Sequence, residues 1–249
     1  MTLRRCLAAC LTTILFALPC RAVSPAGSDS PDSLLATKSL SRWMVGGEVG
    51  YGKRTVLPED GDAVELEWQD MDLLLGVDLT DWLSMLVSYG ATDAEFNDLH
   101  DPGCEGETWS FRVNANLWQA ENEGDLPSWR LTLKSLNEFS THQAESESGG
   151  VEVEWDSITL ALPLGWEILF SEGGDYFSDL YRVTYYLGPA FSTVDGTRTV
   201  GASEFDFEED SEFGVVAGVT IFLLANFSVG ADAEYYENLA LRGSVVFHF

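Results

Sequence analysis

From about Arg42 to the last residue, apolar and polar side chains alternate with a period of two, the pattern of strands that turn one face to an apolar phase and the other to a polar one. The final segment shows it best. Leu241, Gly243, Val245, Phe247 and Phe249 share one face, and Arg242, Ser244, Val246 and His248 share the other. Residues 109–118 repeat the pattern, with Trp109, Phe111, Val113, Ala115 and Leu117 opposed by Ser110, Arg112, Asn114, Asn116 and Trp118; segments 181–191 and 227–235 follow it too. An all-β chain of about ten strands is predicted, at 42–52, 63–79, 83–93, 108–120, 129–142, 153–169, 179–192, 205–223, 226–237 and 239–249. An even number suits a closed antiparallel barrel. Three irregularities leave eight or twelve strands open. The apolar face changes parity between Trp68 and Leu73, which a bulge near Asp70 would explain; Ser135 and Asn137 fall on an apolar face; and Trp155 is out of phase with Ile158 to Trp166.

The N-terminus reads Met1, Thr2, Leu3, Arg4, Arg5, then an apolar run from Cys6 to Leu18, then Pro19, Cys20, Arg21 and Ala22. A basic start, a short apolar stretch and a small residue at its end predict a signal peptide over residues 1–22. Leu7-Ala8-Ala9-Cys10 has the composition of a lipoprotein box but precedes most of the apolar run, so lipidation is not expected. Residues 23–41, rich in Ser, Pro and Ala, read as a flexible periplasmic leader, and 42–249 as the barrel. Cys6, Cys10 and Cys20 leave with the signal, so Cys104 has no internal disulfide partner. No later stretch is apolar for the roughly 20 residues that a membrane helix needs, so membrane residence requires a barrel.

A soluble barrel alternates as well, with its apolar face inward. Two features favour the membrane. Aromatics recur near strand ends, as Trp43 and Tyr51, Trp129 and Phe139, Phe213 and Phe222, Phe227 and Tyr235, at spacings that match a tilted membrane strand and its two interfacial girdles. Connections alternate in length as well: tight at 80–82 and 224–225, longer and acidic at 94–107, 143–152 and 193–204, as periplasmic turns and extracellular loops would be.

The last strand, Val245-Val246-Phe247-His248-Phe249, ends in an aromatic and resembles the C-terminal strand of bacterial outer-membrane β-barrel proteins. The likeness is architectural and covers about Arg42 to Phe249. It implies residence in the bacterial outer membrane among its lipids, and Phe247 and Phe249 as the signal that the barrel-assembly machinery reads. His100-Asp101, with Asp93 and Asp98, loosely resembles the acidic residues and His-Asp pair of omptin proteases, but no second acidic pair matches. Outer-membrane lipid A deacylases carry a His-x-Ser motif that His100, His142 and His248 all lack. No enzyme is expected.

The polar face carries Arg112, Arg130, Lys134, Arg182 and Arg242 with Glu138, Glu167, Asp232 and Glu234, and also Glu48 and Asp78. Enclosed in a narrow lumen, these charges are expected to form a roughly balanced ion-pair network, because isolated buried charge is costly. The surplus of a chain with net charge −28 then belongs in loops, at Glu105, Glu107, Glu145, Glu147 and the run from Glu204 to Glu212. Such a balance excludes nucleic acid as a partner. Glu208, Glu209 and Asp210 are weak candidates for calcium or magnesium, though the run lacks EF-hand spacing and reads more plainly as a solvated loop. No other cofactor is expected. The residues thus predict a monomeric outer-membrane barrel with a polar, largely filled lumen and a structural or surface-interaction role; a narrow passive channel is the alternative, and an outer-membrane protease or lipid A-modifying enzyme comes third.

Overall fold

The computed structural model describes residues 43–58, 62–80, 82–96, 103–122, 128–147, 150–169, 182–210, 212–224 and 226–249. The expected signal and leader, and His100 with Asp98 and Asp101, lie outside the described residues.

Twelve strands are described: β1 (Trp43–Pro58), β2 (Val64–Thr80), β3 (Leu83–Phe96), β4 (Cys104–Asn122), β5 (Ser128–Ser146), β6 (Val151–Ala161), β7 (Leu164–Leu169), β8 (Arg182–Val200), β9 (Ser203–Glu209), β10 (Phe213–Leu224), β11 (Phe227–Tyr236) and β12 (Asn238–His248). All pairings are antiparallel. β6 and β7 are two halves of one stave, parted at Leu162-Pro163, where proline has no N–H to give the ladder. The neighbours make up the loss: Lys134 N donates to Pro163 O at 2.9 Å and Leu162 N to Pro189 O at 3.1 Å.

At the end that carries both residue 43 and residue 249, the base, ten staves close the sheet, with β12 on β1. Trp43 N donates to Phe249 O and Phe249 N to Trp43 O, both at 3.0 Å, so the last residue helps close the ring. At the opposite end, the crown, the β11–β12 hairpin has already turned at Glu237, a non-glycine residue with φ 74°. There β9 pairs with β1 directly (Val56↔Glu209, Leu57↔Glu208, Pro58↔Phe207) and eight strands remain. The barrel narrows from ten staves to eight along its axis. Eight is the number whose interior side chains just fill.

This narrowing coincides with a reversal of polarity. Along β2 the odd-numbered residues face outward throughout, yet they pass from Met71, Leu73 and Leu75 near the base to Glu65, Glu67 and Gln69 at the crown. The even-numbered residues face inward and pass from Asp70 and Asp72 to Leu66 and Val64. Leu73 is 77% exposed and Leu66 is fully buried. The bulge expected near Asp70 is absent, because β2 stays in unbroken register with β1 from Val77 to Val64 and with β3 from Asp78 to Leu66. Trp155 has the same explanation: it faces inward at the crown, while Ile158, Leu160, Leu162, Leu164 and Trp166 face outward on the same stave, whose register with β5 does not shift from β6 to β7.

Two further expectations are corrected. The segments 94–107, 143–152 and 193–204 contain strand at both of their ends among the described residues: β3 runs to Phe96 and β4 begins at Cys104, β5 ends at Ser146 and β6 begins at Val151, and β8 turns into β9 across Gly201-Ala202. Their acidic side chains are there because the outer wall of the crown meets water. Phe222, expected in an aromatic girdle, points inward, where Arg182 lies over its ring at 3.7 Å and His248 packs at 5.3 Å. Trp43, Trp129, Phe213 and Tyr235 are exposed on the outside. Val113 and Val183, on the outer face by parity, are nonetheless covered by their neighbours.

Candidate functional site

The interior has three layers. At the base, Arg130, Lys134, Arg182 and Glu167 face one another, with Lys134 Nζ 3.5 Å from Glu167 Oε1 and His248 Nε2 3.0 Å from Ser228 Oγ. Arg130 and Glu167 are buried, and Arg182 holds its guanidinium on Phe222.

The middle layer is built on alternate residues of strands from opposite walls. Arg112 on β4 grips Glu48 on β1 with two donors, one of them at 2.7 Å, and places its Nε 3.0 Å from Glu138 on β5. Arg242 on β12 reaches across the lumen to the same Glu138 at 2.8 and 3.1 Å. Such two-pronged pairs are directional as well as strong. Together they strut the barrel from β12 to β5. Arg54 serves two carboxylates, Glu209 at 3.0 Å and Glu234 at 3.4 Å, with its guanidinium 4.2 Å from the centre of the Tyr236 ring. The Tyr186 hydroxyl donates to Asp232. Asp72 accepts from Ser88 at 3.2 Å, and Ser88 pairs with Ser110 at 2.8 Å.

Above this lies an apolar plug. Val56, Val64, Leu66, Ala94, Phe96, Cys104, Ala144, Val151, Val153, Trp155, Val194 and Phe207 form one buried cluster inside the eight-stranded crown, with Phe96 edge-on to Phe207 at 5.5 Å. Trp68 packs against the cluster and sits over Gly52, where even a β-carbon would stand 2.4 Å from the indole. At the boundary, His142 stacks on Trp155 while its Nε2 lies 3.1 Å from Ser140 Oγ, which meets Ser157 Oγ at 2.7 Å. Asp70 stands 3.7 Å from His142 Nδ1. Acid, imidazole and hydroxyl in that order are the ingredients of a nucleophilic relay. Here the imidazole plane is held by the indole, its distance to Asp70 exceeds a hydrogen bond, and Ser140 is buried under the plug.

Outside, the crown carries carboxylates on neighbouring strands in direct opposition: Asp93↔Glu105 on β3 and β4, Glu105↔Glu145 on β4 and β5, Glu145↔Glu152 on β5 and β6. Like charges placed so are destabilising.

The nine lumen residues expected from the sequence all belong to the inner wall. Arg112, Arg242 and Glu138 come together, as do Lys134 and Glu167; Asp232 instead takes a tyrosine and Glu234 takes Arg54. Arg54, Asp70, Asp72, His142 and Tyr186 were missed. The signal for Arg54 was present, since it shares parity with Glu48 on β1. The lumen is not balanced layer by layer: six carboxylates, Glu48, Asp70, Asp72, Glu138, Asp232 and Glu234, line the middle cavity with three guanidiniums, those of Arg54, Arg112 and Arg242. Glu208 and Glu209 lie on opposite faces of a strand rather than in a loop, Glu209 turned in to Arg54, and Asp210 is held by its backbone N–H to Thr55 O at 3.0 Å. Those three carboxylates do not converge. Among the described residues no group of three or more His, Cys, Asp or Glu is placed to ligate a metal directly. Phe247 and Phe249 are exposed on the outer wall, Phe247 packed on Phe227 at 4.8 Å.

A closed antiparallel barrel with an apolar outer belt and a polar interior is the architecture of a membrane-spanning β-barrel. Solved structures of similar shape include the transport unit of the autotransporter AIDA-I from Escherichia coli (10% identity, TM-score 0.42, covering 86% of this chain and 91% of that one). Others are the outer membrane protease OmpT from Escherichia coli (10%, 0.43, 84% and 97%) and the translocator domain of the autotransporter NalP from Neisseria meningitidis (9%, 0.38, 84% and 88%). No protein-family model and no curated protein matches the sequence.

Proposed function

We propose that this protein is an integral barrel of a bacterial outer membrane, closed to solutes, whose crown stands in water beyond the bilayer and whose role is structural or in surface interaction. The observation that carries this reading is the apolar plug. A pore requires a continuous polar path, and the cluster around Leu66, Phe96, Trp155 and Phe207 fills the narrow end of the barrel with dry side chains. The acidic outer wall of the crown is the surface offered to the medium, and it repels nucleic acid. The reading assigns no catalytic step, a monomeric barrel in outer-membrane lipid, and delivery through the barrel-assembly machinery by way of Phe247 and Phe249.

Planar-bilayer recording of the refolded protein tests it. No conductance steps are expected from the wild type, and steps are expected from the double variant Trp155→Ala, Phe207→Ala, which hollows the plug. Steady wild-type conductance, equal to that of the variant, contradicts a sealed barrel.

A further inference from the structure

We propose that the middle cavity holds one hydrated divalent cation, of the magnesium class, beside Asp70 and Asp72. Both carboxylates project inward from β2, two residues apart, into a cavity of about 70 Å³. No arginine pairs with either: Arg112 is occupied by Glu48 and Glu138, Arg242 by Glu138, and Arg54 by Glu209 and Glu234, and the basic group beside Asp70 is the His142 imidazole, with Nδ1 at 3.7 Å. Asp72 is buried, 8% exposed; its Oδ2 accepts from Ser88, while its Oδ1 and the Oδ1 of Asp70 have no hydrogen-bond partner. Buried polar atoms of this kind require a partner. One cross-strand neighbour of each aspartate is a glycine, Gly50 beside Asp70 and Gly90 beside Asp72, which leaves open space on that side; the other neighbours are Thr92 beside Asp70 and Glu48 beside Asp72, a hydroxyl and a further carboxylate, and neither brings positive charge.

Space and charge select the occupant. A water centre needs roughly 10–15 Å³, so the cavity has room for an ion with several waters. Six carboxylates against three guanidiniums leave this layer negative, and a divalent cation removes most of the excess. Among the described residues no three His, Cys, Asp or Glu side chains converge on a metal, so the site offers two carboxylates. Such a pair suits magnesium, which keeps its water and binds through one or two carboxylates. The site is separate from the acidic run at Glu208 to Asp210, and it stands whether or not the barrel conducts.

The test is refolding into vesicles in chelator or in magnesium, with the thermal midpoint read from the folded and unfolded gel bands and manganese as a paramagnetic probe of stoichiometry. Ligand binding to the folded form alone raises its stability. The wild type is expected to unfold at higher temperature with magnesium and to retain about one manganese per chain. Asp72→Asn, and separately Asp70→Asn, should weaken apparent metal affinity about tenfold or more, as loss of a metal partner does; both are isosteric. Glu208→Gln with Asp210→Asn should leave the shift intact. The proposal is overturned by no magnesium shift in the wild type, by an equal shift in the Asp72 and Asp70 variants, or by a shift lost only in the Glu208, Asp210 variant. Manganese retention by the wild type decides the matter should either aspartate variant fail to fold.

Discussion

The imidazole of His142 lies flat on the indole of Trp155, 4.3 Å between ring centres and 3° between planes, at the level where the barrel interior changes from ion pairs to apolar packing. One ring belongs to each side of that boundary: His142 reaches Ser140 below, and Trp155 packs into the crown cluster with Trp68 tilted beside it at 6.5 Å. The pair seals polar groups under a dry lid.

Trp155→Ala removes the largest contributor to that lid. A buried aromatic cut to alanine costs about 3–5 kcal/mol, because a cavity remains inside a closed ring of strands that cannot collapse. Urea unfolding of the vesicle-folded protein measures the loss. A cost below about 1 kcal/mol, typical of an exposed position, would place the indole outside the core.

The opposed carboxylates of the crown are expected to respond to a single charge reversal. Glu145 faces Glu105 on one side and Glu152 on the other. Glu145→Lys turns two repulsive pairs into two attractive ones, each worth roughly 0.2–1 kcal/mol. The unfolding midpoint should rise at low salt, and the gain should shrink in 1 M NaCl as screening removes both terms. A lower midpoint at low salt contradicts the cross-strand register.

Glu209, on a strand above the apolar belt, shares Arg54 with Glu234. Burial pushes its carboxyl up to about 7, with Arg54 opposing the shift. Between the unfolded value near 4.5 and 7 the folded protein therefore holds a proton that the unfolded chain releases. Glu209 thus favours the folded state below about pH 4.5, and that contribution is lost as pH rises through 7. Glu209→Gln should flatten this part of the profile, so that the wild type loses more stability than the variant between pH 5 and 8. Parallel profiles would show that Glu209 stays ionised throughout.

Alternation made the barrel readable because the lower strands keep one medium on each side for their full length, as Leu239 to Phe247 do on β12. Periodicity reports which residues share a face and says nothing of what that face meets. On β2 the outward face stays the same while its surroundings change from apolar to aqueous, so Glu67 and Leu73 look like a slip of register. The crown segments 94–107, 143–152 and 193–204 were read as loops for a related reason. Asp93, Glu105, Glu145 and Glu152 outside, with Ala94, Cys104 and Ala144 inside, have the composition of turns, yet small apolar residues are what a narrow eight-stranded interior admits. Charge pairing was hidden by distance along the chain: Arg54 and Glu234 are 180 residues apart.

The assembly role proposed for Phe249 can be tested by its removal. Deleting Phe249 removes both backbone hydrogen bonds to Trp43 together with an exposed aromatic at the barrel rim. The yield of folded protein in outer-membrane fractions, read from heat-modifiable migration, should fall more than on truncation of residues 23–41. Equal yields would leave the terminal aromatic without an assembly role.

The reversal of faces along β2 is the centre of this account, and a nitroxide scan measures it directly. Single cysteines replace Glu65, Glu67, Gln69, Met71, Leu73, Leu75 and Val77 in turn, in a Cys104→Ser background, and each labelled protein is folded into vesicles. Oxygen, which concentrates in lipid, should dominate relaxation at 71, 73, 75 and 77, and a water-soluble nickel chelate at 65, 67 and 69, with one crossover between 69 and 71. All seven belong to one outward face in unbroken register. Labels at 65 and 67 that reach neither reagent, turned inward by a bulge at Asp70, or oxygen dominance along the whole series would contradict the inverted crown.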